Sequence, residues 1–326
     1  MRKKHFLFAS VLALLCGSST LHAQDFKLTS SGYFKNQGVD VMAFDDIYPE
    51  GHQGGVCIIM NGHRVATNGD IRLEATPGQW QPVPKQLDRK LGDNSITATL
   101  CYPDSSRHLT GFNPMIYPDL HLIYTVNVES KGKNIEVTVD LDRPIPQEFI
   151  GKVGFNLEFF PGSLFGKPWI MDGQSGIFPQ QPNSPLMTTQ PNYLHTGNYH
   201  DGKKSLADMD KLIGKGYSPI VADDIISEPY AKGTKFTSRP DDPYNKVTIE
   251  SLSGDLQLFD GRMNHNNGWF VLRSNIKPGV TKGAVKWIIT PNVVADWMYQ
   301  PVIQTSQIGY HPTQDKEAVI EMDIRD

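Results

Sequence analysis

Apolar and polar residues alternate along most of this chain. Ile135, Val137, Val139 and Leu141 are separated by Asn134, Glu136, Thr138 and Asp140. Val153, Phe155, Leu157 and Phe159 are separated by Gly154, Asn156 and Glu158, and Leu120, Leu122, Tyr124, Val126 and Val128 repeat the pattern. A period of two places each apolar set on one face of a strand and leaves the other face to water. The same reading predicts strands near 39–44, 56–60, 63–67, 95–101, 247–251, 255–259, 269–273 and 284–290. Cys57-Ile58-Ile59-Met60 and His63-Arg64-Val65-Ala66-Thr67 flank Asn61-Gly62. Asn-Gly tolerates the positive φ of a two-residue type I′ turn, so these two runs are predicted to form a hairpin. One short helix is predicted over 206–213, with Ser205 as its cap and Gly214 to end it.

Strands and helices do not alternate as βαβ units, which argues against a parallel α/β fold, and no solenoid or propeller period is present. The 29 glycines and 23 prolines are spread along the whole chain, as many short strands and turns require. The expected fold is all-β: a large antiparallel β-sandwich over residues 24–299. Two smaller sandwiches would also fit the length, but no linker rich in Pro, Ser or charge divides the region.

The N-terminus bears on the compartment. Arg2, Lys3 and Lys4 precede an apolar run, Phe6 to Leu15, that is too short to span a bilayer as a helix. Gly17, Ser18, Ser19 and Thr20 break the run, and Leu21-His22-Ala23 offers a small residue for cleavage. Residues 1–23 therefore read as a secretory signal peptide, and the mature chain is expected to be secreted or periplasmic. Acylation of Cys16 in a cell-surface lipoprotein is the alternative; Leu15, where a small residue would be expected, disfavours it. No later stretch is long and apolar enough for a transmembrane helix.

Removal of the signal changes the charge. It holds three of the 31 Lys and Arg and none of the 35 Asp and Glu, so the net charge of −4 becomes −7. That balance disfavours nucleic acid and anionic membranes as partners and fits a neutral ligand. Cys57 and Cys101 remain; they could pair in an oxidising compartment or serve as two small buried thiols.

Residues 160–245 read differently. Pro161, Pro168, Pro179, Pro182, Pro185 and Pro191 interrupt regular structure, and between them stand Phe165, Trp169, Phe178, Tyr193 and Tyr199 with Asn183, Asn192, His195 and His200. Sugar rings stack on aromatic faces while amides and imidazoles bond their hydroxyls. Trp169, Tyr193, His195 and Tyr199 are thus candidates for binding a neutral polysaccharide or oligosaccharide on long loops. The competing reading is that these aromatics pin the loops to the sheet.

Candidate catalytic chemistry is diffuse. Glu158, Asp172, Asp201, Asp223, Asp224 and Glu228 could serve a glycoside hydrolase, but no motif sets a pair at the required separation. His195 and His200 lack a third metal ligand nearby, and Asp241-Asp242 with Asn245 lacks the glycine of an EF-hand loop. Neither a nucleophile elbow, a P-loop nor a dinucleotide fingerprint is present, so no catalytic residue, metal or cofactor is assigned.

Residues 301–322 read as a Gly-centred bend, a polar turn and a new strand. Gln307, Ile308, Gly309, Tyr310 and Pro312, followed by Lys316, Ala318 and Val319, resemble the opening of the immunoglobulin-like module of glycoside hydrolase family 9 cellulases, where a Gln-Val-Gly-Tyr-x-Pro segment leads into a Lys-x-Ala-Val-Val-like strand. Gly154-Phe155-Asn156-Leu157-Glu158-Phe159 and Phe259-Asp260-Gly261-Arg262 resemble the N-terminal extension of some members of that family. The resemblance implies that 300–326 is the incomplete start of an immunoglobulin-like domain. It also implies that the chain is the accessory, noncatalytic front of a polysaccharide-degrading enzyme, with the catalytic domain as its partner. The family's paired aspartates lie in an Asp-Ala-Gly-Asp-like motif that this sequence lacks, so no catalytic residue carries over. Two further readings stay open. One is a free-standing carbohydrate-binding sandwich. The other is an epimerase or lyase that uses His195 or His200 with a carboxylate.

The signal-peptide reading makes a direct prediction. N-terminal sequencing of the exported protein is expected to begin at Gln24; a chain that starts at acylated Cys16 or retains Met1 would refute it.

Overall fold

The computed structural model describes residues 25–45, 54–74, 76–77, 83–104, 120–181, 186–188, 225–263 and 268–322. Its first strands are β1 (Lys27–Leu28), β2 (Phe34–Asn36), β3 (Val39–Ala43), β4 (Val56–Met60), β5 (His63–Leu73), β6 (Lys85–Leu91), β7 (Ser95–Tyr102) and β8 (Leu122–Lys131). The middle strands are β9 (Asn134–Leu141), β10 (Val153–Phe159), β11 (Pro168–Met171), β12 (Gln174–Ile177), β13 (Leu186–Thr188), β14 (Ile225–Ser227) and β15 (Ala231–Gly233). The last are β16 (Lys235–Ser238), β17 (Val247–Ser251), β18 (Leu256–Asp260), β19 (Phe270–Asn275), β20 (Val285–Pro291), β21 (Val302–Gln304) and β22 (Val319–Glu321).

The strands build two nine-stranded sheets, ordered β1-β2-β3-β4-β5-β10-β19-β18-β15 and β12-β11-β16-β17-β20-β9-β8-β7-β6. Every strand pairing within them is antiparallel. The fold is thus the expected all-β antiparallel sandwich. The Asn61-Gly62 hairpin joins β4 to β5, with φ of 51° and 81° at its two turn residues. The helix expected over 206–213 lies outside the described residues, as does the signal segment.

Sequence alternation becomes packing most cleanly in the second sheet. Ile96, Ala98 and Leu100 of β7, Tyr124, Val126 and Val128 of β8, and Ile135, Val137 and Val139 of β9 are buried, while the residues between them keep partial exposure. The sheets meet through large side chains. Phe155 of β10 stands edge-on to Trp287 of β20 at 5.0 Å, and Phe159 meets Phe236 at 5.8 Å. The Trp287 indole donates to Ser274 Oγ at 3.0 Å, so its one polar atom is satisfied within the core. Buried apolar residues from Phe26 to Ile289 form one continuous core.

Strand β6 was not anticipated. With Lys85, Asp88, Arg89 and Lys90 it has no apolar alternation, and it forms an edge of the second sheet, where charge discourages further strand pairing. Cys57 lies on β4 of the first sheet and Cys101 on β7 of the second, and the two are not joined by a disulfide. Strands β21 and β22 pair with each other outside both large sheets.

Truncating the contact between the sheets should be costly. Phe155→Ala is expected to destabilise the sandwich by ~3–5 kcal/mol in denaturant unfolding. A loss below about 1 kcal/mol would show that the Phe155–Trp287 contact is not central to the core.

Candidate functional site

The central strands of the first sheet depart from the simple pattern. Strand β10 is buried at every position and β5 from Val65 to Leu73. Both faces of these strands are therefore covered, and the polar alternates expected to meet water do not: Asn156 is 0% and Glu158 3% exposed. Register places Asn156 opposite Asp70 of β5 on one side and Arg273 of β19 on the other. Arg273 donates through Nη1 to Glu74 Oε1 and Asn156 Oδ1, each at 3.0 Å, and through Nη2 to the carbonyls of Lys152 (2.8 Å) and Glu74 (3.2 Å). Its Nε donates to Asn275 Oδ1 at 2.7 Å. Asn156 Nδ2 donates to Glu74 Oε1, and Asn68 Nδ2 donates to Glu158 Oε2 at 2.7 Å.

Asp70 ties this network to the second sheet. Its Oδ1 accepts from the Tyr124 hydroxyl and the Ile71 amide, both at 2.7 Å, and Arg72 Nη1 lies 3.8 Å from Oδ2. Tyr102 Oη accepts from the Leu73 amide at 3.2 Å. Burial pushes the Asp70 carboxyl up to about 6 against the pull of Arg72, and it pushes Glu74 up to about 7 against Arg273. Burial likewise raises both tyrosine hydroxyls well above their ordinary range. Carboxyls near neutrality are chemically suited to proton transfer. Asp70 and Glu74 are both 0% exposed, so their chemistry serves the fold rather than a substrate.

A second polar cluster sits where the long insert leaves the sandwich. The Asp260 carboxylate accepts from Arg262 through Nε and Nη2, both at 2.8 Å, and from the Tyr230 hydroxyl at 3.2 Å. The Arg262 guanidinium also donates to the carbonyls of Gln180 and Pro179, both at 2.8 Å. Its Cζ stands 4.4 Å above the Phe270 ring and 5.1 Å from that of Phe165. Residues 179–180 precede the insert and Tyr230 follows it, so one guanidinium–carboxylate pair holds both roots. Strands β13 and β14, which flank residues 189–224 in sequence, pair with each other.

The sequence candidates separate on this frame. Trp169 lies in β11 within the core at 5% exposure, its ring against Gly176, where an added Cβ would come within 2.5 Å of Cζ2. Burial leaves that ring no face for a sugar, so Trp169 is a packing residue. Phe178 is likewise buried, whereas Phe165 is exposed. Tyr193, His195 and Tyr199 lie outside the described residues, as do Asp201, Asp223 and Asp224. Asp172 accepts from the amides of Thr234 and Lys235, which hold its carboxyl below the ordinary range. Asp242 accepts from Tyr244 N, Asn245 Nδ2 and Arg239, so its oxygens are engaged by donors that lock a turn. Alternation concealed the Asp70–Glu74–Arg273 network, because buried and solvated polar alternates look alike in sequence.

No family model matches this chain, and no curated sequence matches it. Among solved structures, a galactose mutarotase-like protein from Lactobacillus casei is 13% identical, over 77% of this chain and 89% of that one, with a TM-score of 0.34. A galactose mutarotase related enzyme from Lactobacillus acidophilus is 11% identical, over 79% and 96%, also at 0.34. Heparan sulfate lyase from Pedobacter heparinus is 11% identical over 92% of this chain and 41% of that one, at 0.29. Scores at this level carry no conclusion about shared family, site or activity.

The buried acids give a pH prediction. Folded values of about 6 for Asp70 and about 7 for Glu74 exceed the ordinary values of 3.8 and 4.5, so the folded chain binds more protons in the window between. Their contribution to stability is fully present below the unfolded values and is lost as pH rises through the folded ones. The denaturation midpoint is expected to fall between about pH 4 and pH 7, with a shallower fall in Glu74→Gln. A midpoint that rises through this window, or a slope unchanged in Glu74→Gln, contradicts the assignment.

Proposed function

We propose that this chain is the accessory, noncatalytic N-terminal part of a secreted polysaccharide-degrading glycoside hydrolase of the family 9 type. On this reading it acts beside a catalytic domain on neutral β-glucans. The observation that carries the proposal is the conformation of the segment that resembles the family's immunoglobulin-like module. Residues 302–321 form the hairpin β21–β22, with Val302 45%, Ile303 68%, Val319 63% and Ile320 60% exposed. Ile308, within the resembling motif, is 99% exposed. A two-stranded ribbon is marginal in water by itself, and clustered exposed apolar side chains call for a cover. A β-domain that begins with these strands would supply both.

The engagement of the sandwich's own acids supports the noncatalytic part of the proposal. Glu158 and Glu74 are buried in the arginine network, while Asp172, Asp242 and Asp260 lock turns and the insert roots. A free-standing carbohydrate-binding protein is the second reading. The pairing of β13 with β14 favours it, because the segment between them contains Tyr193, His195 and Tyr199.

The purified chain is expected to release no reducing sugar above background from soluble cellulose derivatives, and its transcript to continue in frame beyond codon 326 into a helical catalytic domain. Hydrolysis that disappears when one of this chain's carboxylates is replaced would overturn the noncatalytic assignment. A stop at codon 327, with retardation of the chain in gels that contain neutral glycan, would favour the second reading instead.

A further inference from the structure

After β20 the chain turns back across one end of the sandwich and is seated on two hairpin turns. The first is the β2–β3 turn. Gly38 there has φ of 65°, and a Cβ at that position would lie 2.7 Å from Trp297 Cε3 and 2.9 Å from Cδ2. The indole thus rests directly on the Gly38 backbone, and the neighbouring Gln37 side-chain amide donates to the Trp297 carbonyl. The second is the Asn61-Gly62 turn, where the Tyr299 ring would lie 3.5 Å from an added Cβ at Gly62. Trp297 and Tyr299 also meet edge-on, at 6.2 Å. From this seat contacts run outward into the hairpin: Tyr299 Oη donates to Glu321 Oε1 at 2.8 Å, and Gln304 Nε2 donates to Glu321 Oε2 at 2.6 Å.

We propose that this seat is a rigid joint: Trp297 on Gly38 and Tyr299 on Gly62, latched through Glu321, hold the β21–β22 hairpin in one fixed orientation on the sandwich. Gly38 is required because a Cβ there would lift the indole off its backbone seat, whereas a Cβ at Gly62 would only touch the Tyr299 ring at ordinary contact distance. Residues 297–301 are then a structural strut, and whatever β21–β22 joins takes its direction from the two turns. The joint does not depend on the proposed function: hydrolysis by the chain would leave it intact, and a flexible hairpin would leave the noncatalytic assignment intact.

The joint is tested with two spin labels on the full mature chain in a Cys101→Ser background, at Lys133→Cys on the sandwich and Ile308→Cys on the hairpin. A single narrow distance distribution is expected. Trp297→Ala should broaden it on the order of 10 Å, because five unrestrained residues spread their ends over roughly 5–6 Å × √n. Glu321→Ala, an exposed change, should broaden it by less while leaving the sandwich's thermal midpoint unchanged. Trp297→Phe should retain most of the narrow distribution. A broad distribution in the parent overturns the proposal. So does an unchanged width in Trp297→Ala or, should that variant unfold, an unchanged width in Glu321→Ala.

Discussion

Arg273 lies on β19, a strand of the first sheet flanked on both sides, with 1% of its surface exposed. A guanidinium keeps its charge at any ordinary pH and presents five N–H donors, so removing it from water requires partners for its nitrogens. Glu74, Asn156, Asn275 and two main-chain carbonyls supply them and join β5, β10 and β19 into one unit. The position of Gly154 follows from the same requirement, since a Cβ there would meet Arg273 Nε at 2.8 Å and Ser274 O at 2.7 Å. Loss of one partner would leave charge buried and uncompensated, which destabilises more than the intact network stabilises relative to an apolar core. The network spans the register of the three central strands, and its burial is by itself weak evidence of added stability.

That constraint accounts for the residues of one short segment. In Gly154-Phe155-Asn156-Leu157-Glu158-Phe159, Gly154 makes room for Arg273, Asn156 bonds it and Glu158 holds Asn68. The alternate Phe155, Leu157 and Phe159 fill the core between the sheets. Phe259-Asp260-Gly261-Arg262 is similarly committed, since Asp260 and Arg262 clamp both roots of the insert.

Legibility in the sequence followed how much each position depends on distant partners. Strands β7, β8, β9 and β20 have one face in the core and one partly wet, so local alternation is enough to find them. Strand β10 shows the same alternation with both faces covered, and nothing local distinguishes Asn156 in a buried network from an asparagine in water. Trp169 misled in the opposite direction. It stands among prolines in a stretch that reads as loop, yet it lies in β11 with its ring on Gly176, seven residues along the chain. Its cue was the glycine that accommodates the ring, and only the β11–β12 pairing makes that glycine a neighbour. The charged β6, as long as β10, depends on pairing with β7 and has no apolar period to reveal it.

Among the described residues, the central acids are engaged by the network, and Asp172, Asp242 and Asp260 by amides and by neighbouring side chains. What remains distinctive is how the sandwich places the segments that leave it. The insert departs from a clamp in which one guanidinium is bonded to Asp260, Pro179 and Gln180. The C-terminal hairpin departs from a seat in which two aromatic rings rest on glycine turns. A flexible tether raises only the effective concentration of what it carries, and it leaves direction free. A clamped or seated exit fixes direction as well, at the cost of adaptability. For a protein that works beside a second module on an extended polymer, direction decides whether both can lie along one chain of the polymer. Under the proposed reading, the polar network and the glycine seats thus serve one purpose: the first makes the base stiff, and the second transmits that stiffness to the hairpin.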